Sequence, residues 1–234
     1  MLMNPCADEM AQLVIEEKIP VVTTGAGNPG KYMAAWKAAG ITVIPVVAAA
    51  VLARHLAPLG IDAVIAEGTE SGGHVGELTT MALVPQVCDA VGIPVVAAGG
   101  IMDGAGIASV MQLGAQGVQL GTAFLLCPES AADAGYRAAI HNSLDGRTVL
   151  TSAISGRPAR CLANAFCALG EGYPASAVPD YPLAYDIGKA LAAAAKAQGV
   201  HEYGAHWAGQ GVGLIRECDA ATLVRQLAAE SGWN

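Results

Sequence analysis

Basic residues are scarce. The 234-residue chain has 12 Lys and Arg against 20 Asp and Glu, a formal net charge of −8 and no cationic run. That excludes the usual nucleic-acid footprint, in which clustered Lys and Arg neutralise phosphates. Charge of either sign is thin, with 14% charged against 53% hydrophobic residues. Such a balance fits a parallel sheet covered on both faces. No apolar run is long enough for a bilayer: the longest, Val43 to Ala53, is interrupted by Pro45 and falls short of the roughly 20 residues a membrane helix needs. The opening Met-Leu-Met-Asn-Pro-Cys lacks the basic-then-apolar layout of a secretion signal. The six cysteines form no CxxC and no metal-like spacing. They read as reduced packing thiols of a cytoplasmic protein without a metal. There is no P-loop lysine pattern, no low-complexity tail and no repeat beyond the unit described next.

What is present is a regular alternation of strand and helix patterns. After a helix over about Asp8 to Glu17 come strands at Pro20–Thr24, Ile41–Val47, Asp62–Ala66, Pro94–Ala98 and Gly117–Leu120. The intervening helices are expected at about Lys31–Ala39, Ala48–Leu59, Thr80–Val91 and Asp103–Leu113, with another near Ser130–Asn142. Thr79 or Thr80 is suited to cap the third of these. Gly40 and Gly60 look like helix stops. Five βα units mean an α/β fold with a parallel sheet and right-handed crossovers. Five strands cannot close a (β/α)₈ barrel. The chain is therefore either an open five-stranded sheet or the last five units of a barrel, spanning residues 1–147. Beyond Thr148 the pattern changes. Ser155–Arg160 is a basic turn, 170–182 a Gly- and Pro-rich loop, and Asp186–Gln198 an alanine-rich helix. A glycine turn at Trp207–Gly211 precedes a helix over Asp219–Ser231, capped by Asp219. Residues 148–234 are thus expected to be a helical segment packed at the barrel mouth.

Function should lie at the C-terminal ends of the strands. Three strand-then-glycine sites stand there: Glu67-Gly-Thr-Glu-Ser-Gly-Gly-His-Val-Gly76, Ala97-Ala-Gly-Gly-Ile101 and Gln119-Leu-Gly-Thr122. Gly72 and Gly73 leave no Cβ to block a flat ligand. Gly99, Gly100 and Gly121 can offer backbone N–H groups to a phosphate, and Thr122 adds a hydroxyl. The plain alternative is that these glycines only make tight turns. His74 is the candidate acid, base or anion-stabilising group, since imidazole exchanges protons near neutrality. Glu67, at its strand end, is placed for a ring or sugar-like hydroxyls. Glu70 and Glu77 read as solvated or bracing, and His55, His141, His201 and His206 as structural. Gly25-Ala-Gly-Asn-Pro-Gly30 matches GxGxxG but lacks the acidic residue about 20 positions on. That weakens a dinucleotide-binding reading.

The chain resembles the flavin mononucleotide (FMN)-dependent nitronate monooxygenases, formerly 2-nitropropane dioxygenases, and the related flavin-dependent enoyl-acyl-carrier-protein reductases. Thr23–Pro29, Glu67–Gly76, Ala97–Ile101 with Asp103-Gly104, and Val118–Thr122 carry the likeness. Gly72 to Met81 is similar to the reductases. Ser155–Arg160, Trp207–Gly211 and the Tyr181, Tyr185, Lys189 series are similar to the nitronate enzymes. On a helix, spacings of four would put those three side chains on one face.

The resemblance implies a TIM barrel binding FMN, with His74 over the flavin and Tyr181, Tyr185 and Lys189 shaping the substrate entrance. The implied reaction oxidises an alkyl nitronate, with dioxygen reoxidising the flavin. The reductase alternative would use NAD(P)H and an enoyl thioester. A third reading is an inactive remnant or interaction module. A homodimer is compatible with any of these. Met1 to Pro5 is similar to the end of a third barrel strand, so the chain is expected to lack the first three units and to hold flavin weakly or not at all by itself.

Overall fold

The computed structural model describes residues 2–3, 5–143 and 145–232. Met1 and Asn4, part of the stretch compared with a third barrel strand, lie outside the described residues. Contacts divide the chain into two compact units. The first holds residues up to Thr69, Gly76–Ala98 and Val110–Gln119; the second holds Glu70–Val75, Gly99–Ser109 and everything from Leu120.

The first unit is a parallel sheet with its helices. Its strands are β1 (Val21–Thr24), β2 (Thr42–Val47), β3 (Val64–Glu67), β5 (Val95–Ala98) and β6 (Gly117–Gln119), in that spatial order and all parallel. A short β4 (Gly73–His74) falls between β3 and β5 in the chain and belongs to the second unit. Helices α1 (Ala7–Glu16), α2 (Gly30–Ala38), α3 (Ala50–Leu56) and α4 (Thr80–Ala90) alternate with the strands. The five predicted strands are all present, each within two residues of its expected start. Strand β2 changes partner along its length. Thr42 to Pro45 pair with β1, and Val46 and Val47 with β3. Pro45, which lacks an N–H, closes the first ladder just before the second begins.

Val43, Val47, Val64, Leu83, Val84 and Val87 are fully buried around this sheet. Burying each such side chain contributes about 1.5–3 kcal/mol. Lys37 pairs with Asp62 at 2.6 Å, while the other Asp62 oxygen accepts from the Val43 amide at 2.7 Å. Asp62 therefore precedes β3 instead of starting it. The helix expected over Ala48–Leu59 divides, with a 3₁₀ turn at Ala57–Leu59. Pro58 cannot donate the α-helical bond, and Gly60 ends the turn at φ 82°.

The second unit mixes strands and helices. Residues 148–234 are not simply helical. They open with a hairpin, β7 (Thr148–Thr151) and β8 (Ala159–Leu162), and β4 joins it to give an antiparallel order β4-β8-β7. The expected basic turn over Ser155–Arg160 thus ends inside a strand. All four residues of β8 are buried, Arg160 included. Helices α6 (Ala134–His141), α7 (Ala165–Leu169), α8 (Leu183–Ala197) and α9 (Ala220–Ser231) follow, while α5 (Gly104–Gln112) divides its residues between the units. Side chains cap three of them: Asp133 accepts from Tyr136 N, Asn164 from Cys167 N and Asp219 from Thr222 N. The Arg137 guanidinium donates to the carbonyls of Leu126, Cys127, Ser130 and Ala132. Leu126, Ile140, Leu162, Ala208 and Val212 form one apolar cluster. Ile154, Cys161, Phe166 and Cys167 form another.

Candidate active site

His74 sits at the end of β4, paired in register with Ala159 of β8. Its Nε2 lies 2.8 Å from Ser155 Oγ. The Ser155 hydroxyl is buried and also lies 3.2 Å from the Arg157 carbonyl, to which it donates. A serine has one hydroxyl proton, so with that proton on the carbonyl the oxygen accepts from Nε2–H. This fixes the tautomer and leaves Nδ1 as the acceptor. Burial, followed by the Arg157 cation, holds the imidazole below its ordinary pKa and so favours the neutral ring.

Aromatic rings surround that imidazole. The Tyr181 ring meets it edge-on at 5.1 Å, and Trp207 stands 6.4 Å away. Tyr185 lies 6.2 Å from Tyr181 and 6.3 Å from Trp207. Lys189 Nζ is 5.2 Å from the Tyr185 ring centre, and pairs with Asp186 at 2.8 Å. The series Tyr181, Tyr185, Lys189 is therefore contiguous, but not as one helical face. Helix α8 begins at Leu183, and Tyr181 precedes it across a cis bond to Pro182. The residue before a proline is steered out of the helical region, so Tyr181 stays outside α8 and the helical spacing fails at its first member.

The glycine sites behave differently from one another. Gly99 and Gly100 both have positive φ, 102° and 74°. A Cβ on Gly100 would come within 3.0 Å of Glu70 Cβ. Around Gly121 a Cβ would meet nothing within 4 Å. Gly73 has φ 82° and similar room, whereas a Cβ on Gly72 would strike the Ala208 backbone at 2.9 Å. The absent side chain of Gly72 thus makes way for the chain itself. Thr122 Oγ1 accepts from Gly209 N at 2.9 Å, and Gln210 N donates to the Glu70 carbonyl at 2.9 Å. Residues 208–211 consequently hold the loops at 70–72 and 122 together, and Gly211 lies against the Gly100 carbonyl. Glu67 belongs to the first unit, at the end of β3 in register with Ala98.

Sequence reasoning did not single out Ser155, Trp207 or Arg160 as site residues. The signal for Ser155 and Arg160 was available, since Thr148-Val-Leu-Thr151 followed by Gly156-Arg-Pro158 has the alternation and turn chemistry of a hairpin. Glu70, whose carboxylate was read as solvated or bracing, joins the loop contacts through its backbone carbonyl. His206 is buried and stacked on Tyr136 at 4.7 Å, and its Nδ1 has no hydrogen-bond partner among the described residues.

Parallel βα units with a histidine and glycine loops after the strands define an α/β protein of the kind whose active site lies at the strand ends. The family model for nitronate monooxygenase matches residues 6–230. The chain is 46% identical over 231 residues to a nitronate monooxygenase of Paraburkholderia phytofirmans, covering 94% of this chain and 63% of that protein. Among solved structures, a nitroalkane oxidase from Streptomyces ansochromogenes superposes with a TM-score of 0.88 at 38% identity, over 96% of this chain and 67% of that one. FabK from Thermotoga maritima gives 0.86 at 42%, over 99% and 74%. The chain belongs to the nitronate monooxygenase family. It spans less than two thirds of the length of the Paraburkholderia relative.

Proposed function

We propose that this chain serves a flavin-dependent nitronate monooxygenase that oxidises alkyl nitronates with dioxygen. The observation that carries the reading is the neutral, Ser155-anchored His74 within its ring of Tyr181, Tyr185 and Trp207. A nitronate has already lost its carbon proton, so His74 is suited to hydrogen-bonding the anion's oxygens through a proton taken up at Nδ1. The Arg157 charge acts on His74. Lys189 lies beside Tyr185 with its charge paired to Asp186. Tyr181, Tyr185 and Lys189 are the substrate-side residues in this reading.

The residues also fit the flavin, here taken as FMN. Consecutive positive-φ glycines at 99 and 100, and the open approach to Gly121, suit backbone contact with a phosphate. Thr122 accepts from Gly209 and keeps its own proton to donate. Gly73 leaves space beside His74 and Glu67 completes the proposed set, while Gly72, packed on the Ala208 backbone, would serve it only by shaping the turn that carries Gly73. When bound, the flavin would take up the substrate's electrons and pass them to dioxygen. The chain's residues bind, orient and hold the proton at His74. In the same reading the five βα units are part of a TIM barrel carrying the FMN site within residues 1–147, and 148–234 pack at its mouth. The protein would be cytoplasmic; no described helix is long and apolar enough to cross a membrane.

The test is oxygen uptake. With FMN supplied and its binding checked by absorbance, ethylnitronate or propionate-3-nitronate should start oxygen consumption, and His74→Ala should lose most of it. Bound flavin without uptake would reject the nitronate reading. The likeness to FabK favours a second one. Oxidation of NADH with crotonyl thioester, in a sample inert to nitronate, would select that.

A further inference from the structure

We propose that Cys161 and Cys167 form a dithiol–disulfide site, oxidised within the chain by a peroxide. Their Sγ atoms lie 3.1 Å apart, inside ordinary contact distance for two sulfurs. Both thiols are reduced here and buried, Cys161 completely and Cys167 with 7% of its surface exposed. The pair is held from both sides. Cys161 is fixed in β8 between Val149 of β7 and a bridge to Trp207. Cys167 stands in the first turn of α7, where its amide donates to Asn164 Oδ1 at 3.1 Å. The Asn164 amide group in turn donates to the Gly204 carbonyl at 2.9 Å. Neither sulfur has to be brought in from elsewhere, so joining them needs only the closing of a short gap.

The chemistry has a direction. The hydrogen bond from Cys161 lowers the Cys167 thiol to about 7, and the same contact pushes the Cys161 thiol up. The more exposed sulfur is also the better nucleophile at neutral pH. Cys167 Sγ attacks one oxygen of hydrogen peroxide; the O–O bond breaks, water leaves and a sulfenic acid remains. Cys161 Sγ then attacks that sulfur, the S–O bond breaks and a second water departs with the remaining proton. Two thiols are oxidised and one peroxide is reduced to two waters. The disulfide would tie β8 to α7 beneath Tyr185 and Trp207, which pack on this cluster. The inference does not depend on the substrate assigned above.

One digestion reads it. Among Lys and Arg residues none falls between Arg160 and Lys189, so trypsin releases both cysteines in one peptide. The native protein is exposed to hydrogen peroxide, then unfolded, alkylated and digested. The expected product is that peptide two hydrogens lighter and without either alkyl group, while Cys88 and Cys218 remain alkylated. In a Cys167→Ser chain, Cys161 should stay alkylated. A wild-type peptide that remains doubly alkylated, gains oxygen instead of losing hydrogen, or is cross-linked to another peptide overturns the proposal.

Discussion

At the residue scale the site depends on one proton assignment. Ser155 gives its proton to the Arg157 carbonyl and accepts from His74 Nε2. Ser155→Ala would leave a half-buried imidazole N–H unpaired, at a cost of about 1–3 kcal/mol. The expected result is a roughly 10- to 100-fold fall in kcat/KM for nitronate, by the usual conversion of barrier to rate. Ser155→Thr, which keeps the hydroxyl, should recover part of it. An alanine variant with unchanged kinetics would remove Ser155 from the positioning of His74. His74 itself was legible because a histidine among three glycines, directly after a buried strand, has few structural reasons to exist. Ser155 was not, because its partner lies 81 positions away and only the β4–β8 pairing brings the two together.

At the element scale the decisive piece is β8. It is central in its sheet, buried throughout, in register with His74 on one side and β7 on the other. Leu162 ends it within the cluster of Ile140, Ala208 and Val212. Leu162→Ala should cost about 2–5 kcal/mol, the range for emptying a packed core position, measurable by denaturant unfolding; a loss below about 1 kcal/mol would contradict that packing. The parallel strands were readable because each is a short apolar run, and all but β2 are closed by glycine within two residues. The hairpin's alternation and turn residues stand in the sequence, but Arg157 and Arg160 outweighed them by making turn and strand look like one solvated loop. Arg160 shows the difficulty, because a cation in a fully buried strand is invisible until its neighbours are known. Helix α8 was found with its N-terminus misplaced by three residues, through a proline read as loop.

At the scale of the whole molecule, acid sensitivity follows from buried imidazoles. Burial holds both His74 and His206 below the ordinary histidine pKa. Asp133 works against this at His206, and His201 adds to it. In both cases the unfolded chain binds the proton more readily, so their contribution is complete above about pH 6.5 and is lost as pH falls below it. Melting temperature should therefore decline between pH 7 and 5, and His206→Phe, which keeps the ring against Tyr136, should flatten the decline. An unchanged slope in that variant would clear His206 of the effect. Asp133, held down to about 2 by Lys196 and the Tyr136 amide, adds its own loss only near pH 4 and below. The chain passes between its two compact units after residues 69, 75, 98, 109 and 119. Neither unit is a continuous stretch of polypeptide, so no single cleavage or stop codon could release either one whole, and an insertion or recombination point chosen from the linear order alone would damage both.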